Sequence, residues 1–189
     1  QISGGTHNGM APPFEFLQRS YGRALAQMGV TLDLQLQRCG FYPAGGGEIV
    51  ARIDPCAQLA PLHLLQRGER QDGFAESVIA GVPGRVALRE LEVLGLGMGW
   101  DQARLHVRGL PDEQGPGNVV LVTLAHEHVT EVFCSFGEKS LRSEVVARKA
   151  LDLVRDYLKA GAAVGEYLAD QLLLPMALAG SGSFTVGRV

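Results

Sequence analysis

The first strong periodicity in the chain sets Phe14, Leu17, Tyr21, Leu25 and Met28 at steps of three and four, behind Pro12 and Pro13 and ahead of Gly29. That spacing predicts an amphipathic α-helix with proline in its first turn, where a missing N–H costs nothing, and glycine at its end. From Thr31 the period changes to two. Leu32, Leu34 and Leu36 alternate with polar residues up to Gln37, and Ile49, Ala51 and Ile53 repeat the alternation from Glu48. Two half-buried strands follow, joined by a hairpin-like turn at Pro43-Ala-Gly-Gly-Gly47.

Near Arg67-Gly-Glu-Arg-Gln-Asp-Gly73 the chain turns polar and glycine-containing, which marks the best interior boundary. Beyond it the patterning predicts strands at Phe74 to Ala80, Arg104 to Val107, Val119 to Ala125 and Val129 to Phe136, and a helix from Pro83 to about Leu94. A second helix, Leu141 to Lys159, aligns Val146, Ala150, Leu153 and Tyr157, with Leu151, Val154 and Leu158 widening the stripe. These elements make an α/β insert of about 90 residues, small but viable alone. Gly161 ends its last helix, and a terminal helix is expected from Ala162 onward, with Leu168, Leu172 and Leu173 toward the core. Helices on half-buried strands in both parts indicate an α+β protein of mixed layers. No repeat of 20 to 50 residues is visible.

Composition narrows the function classes. At 189 residues, with 46% hydrophobic and 20% charged residues, the chain has the balance of an ordinary globular protein. No apolar run reaches the roughly 18 to 20 residues that span a bilayer, and no leader opens the chain, so no membrane is expected and the default compartment is the cytoplasm. Cys39, Cys56 and Cys134 are odd in number and widely spaced, which argues for buried thiols over disulfides or zinc. A net charge of -3 gives no global attraction to nucleic acid, so such contact would be local, at an end rather than along a groove. The absence of an initiator Met and the abrupt stop at Val189 read as an excerpt of a longer sequence.

Several segments invite chemistry. Gly95-Leu-Gly-Met-Gly99 lacks the spacing of a dinucleotide loop and follows a helix, so a helix C-terminal turn is the competing reading. His126 and His128 share one strand face and could hold a metal, against the plainer reading of a solvated edge, and no third ligand is placed by sequence. Glu113-Gln-Gly-Pro-Gly-Asn118 reads as a turn, and Gly45-Gly-Gly47 allows close approach of a phosphate or of another chain segment. In Ser3-Gly-Gly-Thr-His-Asn-Gly-Met-Ala-Pro-Pro13, glycines, hydrogen-bonding side chains and a helix start converge, which favours an anion or simply a capped helix. Glu166, Tyr167, Asp170 and Gln171 form the richest cluster. Steps of three and four gather them on one helix face, where an aromatic ring beside an amide and a carboxylate suits a purine, against an ordinary exposed face.

Ser3-Gly-Gly-Thr-His-Asn-x-Met-Ala-Pro-Pro13, Gly40-Phe-Tyr-Pro-Ala-Gly-Gly-Gly-Glu48, Gly115-Pro-Gly-Asn118, Gly137-Glu-Lys139 and Gly165-Glu-Tyr-Leu-Ala-Asp-Gln-Leu-Leu-Leu-Pro-Met-Ala-Leu-Ala-Gly180 occur in the order and spacing of the RNA 3'-terminal phosphate cyclases. The chain resembles that family over essentially its whole length. The resemblance implies an ATP-consuming enzyme: a histidine attacks the α-phosphate to form a covalent adenylate, AMP passes to an RNA 3'-phosphate, and the 2'-hydroxyl closes a 2',3'-cyclic phosphate, with Mg2+ or another divalent cation offsetting charge.

The resemblance also implies a large domain of repeated β-α-β-α-β-β units, similar to enolpyruvate transferases, with a smaller thioredoxin-like domain inserted. Residues 1–69 and 163–189 then belong to the large domain and 70–162 to the insert. The implied ATP-binding residues are Tyr167, Leu168, Ala169, Asp170 and Gln171, with Tyr167 stacking on adenine against Pro12. The family's nucleophilic histidine follows a Phe-Thr-Val strand, here Phe184 to Val186, and is expected beyond Val189. None of the five histidines present takes that role, so no catalytic residue is assigned and this chain alone is expected to be inactive. The family portion carrying arginines for the RNA phosphate and a glutamine for ATP is absent as well. Partners implied are ATP and RNA 3'-phosphate ends, with a homodimer left open. The alternative is a non-catalytic cyclase-like protein or fragment that binds RNA or a ribosome-assembly partner.

Overall fold

The alternation of apolar and polar residues around Leu34 and Ala51 does build a hairpin in the computed structural model, which describes residues 1–187. The chain opens with β1 (Ile2–Gly4) and a helical run made of α1 (Phe14–Phe16), a π-helical turn (Leu17–Tyr21) and α2 (Gly22–Gln27). β2 (Leu32–Arg38) and β3 (Gly47–Ile53) pair antiparallel with Leu34 opposite Ala51 and Leu36 opposite Ile49, and β1 pairs with the other edge of β3. The π turn changes which side chains are buried. Phe14 and Met28 are in the core as expected, but Ser20 and Ala24 are buried too, while Leu17, Tyr21 and Leu25 are only partly so. The wider turn rotates the residues that follow it relative to a continuous 3.6-residue period.

β4 (Leu62–Leu64) is followed by β5 (Arg70–Ala80), α3 (Gly84–Met98), β6 (Leu105–Leu110), β7 (Gly117–His126), β8 (Thr130–Phe136), α4 (Ser143–Ala160), α5 (Glu166–Ala179) and β9 (Gly182–Phe184). The largest sheet has the order β6-β5-β7-β8. β5 and β6 run parallel across α3, whereas β7 pairs antiparallel with both β5 and β8. Ala75, Val120, Val122 and Leu124 form one core with Leu91, Leu94, Val146, Ala150 and Val154 of α3 and α4. Val78, Val119, Leu121 and Val132 form the other with Phe16, Ala24, Met28, Leu168 and Leu172. A strand buried on both faces needs apolar residues at successive positions, which is why Val119 to Val122 shows no alternation. β9 returns parallel to β4, pairing Leu62 with Gly182 and Leu64 with Phe184, so two adjacent strands flank everything between them in sequence. The fold is therefore mixed α/β with several sheets, one of them sandwiched between helical layers.

Some expected details shift. α3 continues through Met98 and ends on Gly99 at φ +67°, which makes the Gly95–Gly99 run the C-terminal turn of a helix. In α4 the buried stripe is Val146, Ala147, Ala150, Leu151, Val154 and Tyr157, so Leu153 and Leu158 lie outside it and are partly exposed. α5 begins at Glu166 rather than Ala162, because Ala163 and Val164 donate their N–H groups to the Oγ1 and carbonyl oxygen of Thr185 at 2.8 and 3.0 Å. Leu168 and Leu172 of α5 are buried, but Leu173 is exposed. Cys39 is a buried thiol, Cys134 is partly buried and Cys56 is exposed, contrary to the expectation of three buried ones. No helix among the described residues is long and apolar enough to cross a membrane.

Candidate functional site

The opening glycine-rich loop is fastened to the hairpin turn. Thr6 and His7 both donate their N–H groups to the carbonyl of Gly40, at 2.9 and 3.0 Å, and Gly40 N–H returns a bond to Thr6 Oγ1 at 2.9 Å. A Cβ on Gly47 would lie 2.6 Å from Thr6 Cγ2 and 2.7 Å from the nitrogen of Gly40. This glycine run therefore serves close approach of another chain segment, one of the two roles expected of it. Gly117 plays the same part on the large sheet, where a Cβ would come within 2.1 Å of the Phe41 ring.

Beneath the loop lies a chain of buried and half-buried polar groups. His7 is bonded through Nδ1 to Thr6 Oγ1 at 2.8 Å and through Nε2 to Glu15 Oε2 at 2.9 Å. The other oxygen of Glu15 accepts from Arg108 of β6, and Arg108 also faces Glu76 of β5, which is bound in turn by Arg19. Glu15 is 1% exposed although it sits between two phenylalanines. Burial raises its carboxyl pKa, but the hydrogen bonds and charges of His7 and Arg108 outweigh this and hold it at about 2. The start of the first helix, and with it Pro12 and Pro13, is thus tied to the large sheet by an ion pair across 93 positions of sequence.

The loop, β8 and α5 enclose a cavity of about 430 Å³. Pro12 and Pro13 form one side, Val132, Cys134 and Phe136 contribute from β8, and Tyr167, Asp170 and Gln171 project from α5. The size lies within the roughly 300 to 1,000 Å³ usual for small-molecule sites. Tyr167 is 55% exposed, leaving its ring available to a ligand, and burial together with Glu166 and Cys134 raises its hydroxyl pKa. Gln171 donates to Asp170 Oδ2 at 3.3 Å. Of the residues expected at an ATP site, Pro12, Tyr167, Asp170 and Gln171 converge here, although about 155 positions separate the proline from the helix. Leu168 and Ala169 do not line the cavity; their side chains lie in the core that seats α5. Glu166 borders a neighbouring cavity of about 220 Å³ together with Glu131, Asp156 and Tyr157.

The remaining candidates resolve into structure. His126 is buried and packs edge-on against Tyr157, with ring centroids 6.2 Å apart, while His128 is half exposed. Burial, with Arg67 and Arg70, lowers the pKa of His126. No group of three His, Cys, Asp or Glu side chains among the described residues is arranged to hold a metal. Asn118, the last residue of the 113–118 turn, donates to Glu90 Oε2 at 3.0 Å, and Ser77 donates to the same oxygen at 2.7 Å. Glu90 is fully buried, which pushes its carboxyl up despite those two donors. Sequence reasoning missed Glu15, Glu90, Arg108 and Glu131, because a charged residue inside an apolar pattern carries no local sign of its distant partner.

The family model described as RNA 3'-terminal phosphate cyclase matches residues 1–189. The chain belongs to that family. Proteins named RNA 3'-terminal phosphate cyclase from Pseudomonas fluorescens, Ralstonia nicotianae and Ectopseudomonas mendocina are 53%, 50% and 49% identical to it. The matches cover 97%, 97% and 98% of this chain and 54%, 53% and 54% of those relatives. The chain thus spans about half the length of these curated members of the family.

Proposed function

We propose that the protein takes part in the ATP-dependent conversion of an RNA 3'-terminal phosphate to a 2',3'-cyclic phosphate, and that the cavity between Pro12 and Tyr167 holds the adenine of ATP. The observation that carries the reading is this convergence: a flat aromatic ring, a proline, a carboxylate and an amide border one cavity from two distant segments. A purine stacks on Tyr167 and offers its edge to Asp170 and Gln171, with β8 side chains excluding water beneath it. Leu168 and Ala169 support the site from below by seating α5.

The reaction we infer is adenylyl transfer in three steps, through a histidine-linked AMP and an RNA-linked adenylate. Among the described residues no histidine borders the 430 Å³ cavity, and His7 is engaged by Thr6 and Glu15. We place the nucleophile outside residues 1–187, as the family resemblance implies. Asp170 is the one carboxylate among the residues lining the cavity. With Asp170 given to the purine edge, Mg2+ would be held by phosphate oxygens and water, and when bound it would offset triphosphate charge. The return of β9 beside β4 supports the reading of residues 70–162 as an insert, which the family resemblance further makes a thioredoxin-like unit in a large domain of enolpyruvate-transferase type. A cytoplasmic enzyme acting on RNA ends is the setting that follows.

The test uses radiolabelled ATP and Mg2+ with the whole protein and with the 189-residue chain. The whole protein is expected to yield an acid-labile histidine–AMP adduct and the shorter chain none. Labelling of a histidine within residues 1–189 would overturn the site assignment. No adduct on the whole protein, with RNA binding retained, would favour the non-catalytic cyclase-like reading.

A further inference from the structure

β8 directs Glu131 to the sheet face that carries α4, at the point where the chain leaves α4 and turns into α5. Its side chain is buried, with the residue only 2% exposed. Oε1 accepts the backbone N–H of Gly165 at 2.7 Å. Gly165 is the N-cap of α5, and its own N–H, one of the donors left without a partner inside the helix, is met by a carboxyl 34 positions earlier in sequence. Tyr167, two residues on, borders both the small cavity lined by Glu131 and the larger one assigned to adenine.

We propose that Glu131 is a positioning residue that fixes the first turn of α5, and with it Tyr167 and Asp170, so that gain or loss of its proton tunes nucleotide binding. The inference rests on the reading of the larger cavity as a nucleotide site. A carboxylate bound to an N–H at a helix N-terminus is held by both the hydrogen bond and the helix dipole, and a charged acceptor bonds about twice as strongly as a neutral one. Deprotonation therefore tightens the anchor.

Titration falls in the useful range. Burial pushes the Glu131 carboxyl up, the Gly165 N–H and the Arg67 charge oppose this, and the balance lies at about 7. Other charged or titratable groups surround it. Asp156 and Tyr157 of α4 and Glu166 of α5 border the same cavity, Arg67 lies over the Tyr157 ring at 4.3 Å, and His126 packs on that ring. From the helical run on the sheet's other face, Arg23 donates to Thr130 Oγ1 beside Glu131. Of these groups Arg67 is the charge that favours ionisation of Glu131.

The test follows amide resonances of the 189-residue chain between pH 5.5 and 8.5 while adenosine is titrated in, for wild type, Glu131→Gln and Tyr167→Ala. Adenosine carries no charge in this range, so any pH profile belongs to the protein. The Gly165 amide is expected to titrate with a midpoint near 7 in wild type and to stay flat in Glu131→Gln. Adenosine affinity is expected to rise about fivefold over the same interval in wild type only, the worth of strengthening one hydrogen bond. A Gly165 amide that does not titrate, or titrates equally in Glu131→Gln, overturns the proposal, as does wild-type affinity that ignores a titrating Gly165. Adenosine binding that Tyr167→Ala leaves intact, or that is absent at every pH, instead overturns the nucleotide site and the coupling with it, leaving the Gly165 response to decide the anchor alone.

Discussion

Replacing Glu15 with Gln preserves shape and removes the charge at the centre of the His7–Glu15–Arg108 network. The magnitude follows from the carboxyl's position at about 2 in the folded protein against an ordinary 4.5. With 1.36 kcal/mol per unit, the ionised form contributes about 3 kcal/mol, similar to the 3 to 5 kcal/mol usually lost when one partner of a buried pair is removed. Because the folded-state pKa is depressed, this stability is present above pH 4.5 and is lost as pH falls toward 2. The difference between wild type and Glu15→Gln in urea unfolding, followed by circular dichroism, is therefore expected to be about 3 kcal/mol at pH 7 and to shrink to about 1 to 1.5 kcal/mol at pH 3. A difference below about 1 kcal/mol at pH 7, or one that stays constant down to pH 3, would refute the argument. The first result would mean that Arg108 and His7 are satisfied without the charge; the second, that the loss comes from packing.

Three further outcomes are expected. Tyr167→Ala should weaken adenine-nucleotide binding by about 1 to 3 kcal/mol, the worth of one base-stacking platform, in calorimetric titration of the whole protein, and unchanged affinity would remove Tyr167 from the site. Gly117→Ala drives a Cβ into the Phe41 ring and should lower stability by about 1 to 3 kcal/mol, whereas an unchanged melting temperature would mean that the hairpin turn is not seated on β7. Tyr157→Phe deletes the hydroxyl that donates to the Ala163 carbonyl at 2.9 Å and should cost about 1 kcal/mol, or about 2 to 4 °C in melting temperature; no change in a thermal scan would show that the bond contributes nothing.

The elements that sequence located well are those whose burial follows from a single period. β2 presents one half-buried face through Leu32, Leu34 and Leu36, and alternation with the glycine turn predicts both strands and their pairing, although β3 is half-buried at successive positions and leaves Ile53 exposed. The stripes of α1–α2 and α4 were legible as helices but not in phase. A π turn shifts the first, and in α4 the stripe takes in Ala147, which a search for large apolar residues undervalues, and leaves out Leu153 and Leu158. α5 is apolar on more than one side, so periodicity could not say that Leu168 and Ala169 face the core while Leu173 does not.

Sequence by itself determined the type and order of most elements, the family, and the identity of the polar face on the terminal helix, because each is written in residues close together along the chain. Only the tertiary structure decided that Pro12 and Pro13 come to lie across one cavity from Tyr167, Asp170 and Gln171, and that Glu15 and Glu131 are buried acceptors rather than solvated charges. The physical reason is one of range. Hydrophobic period and turn chemistry act over a few residues, whereas a buried carboxylate is tolerated only where packing brings it a donor, and those donors lie 93 and 34 positions away in Arg108 and Gly165.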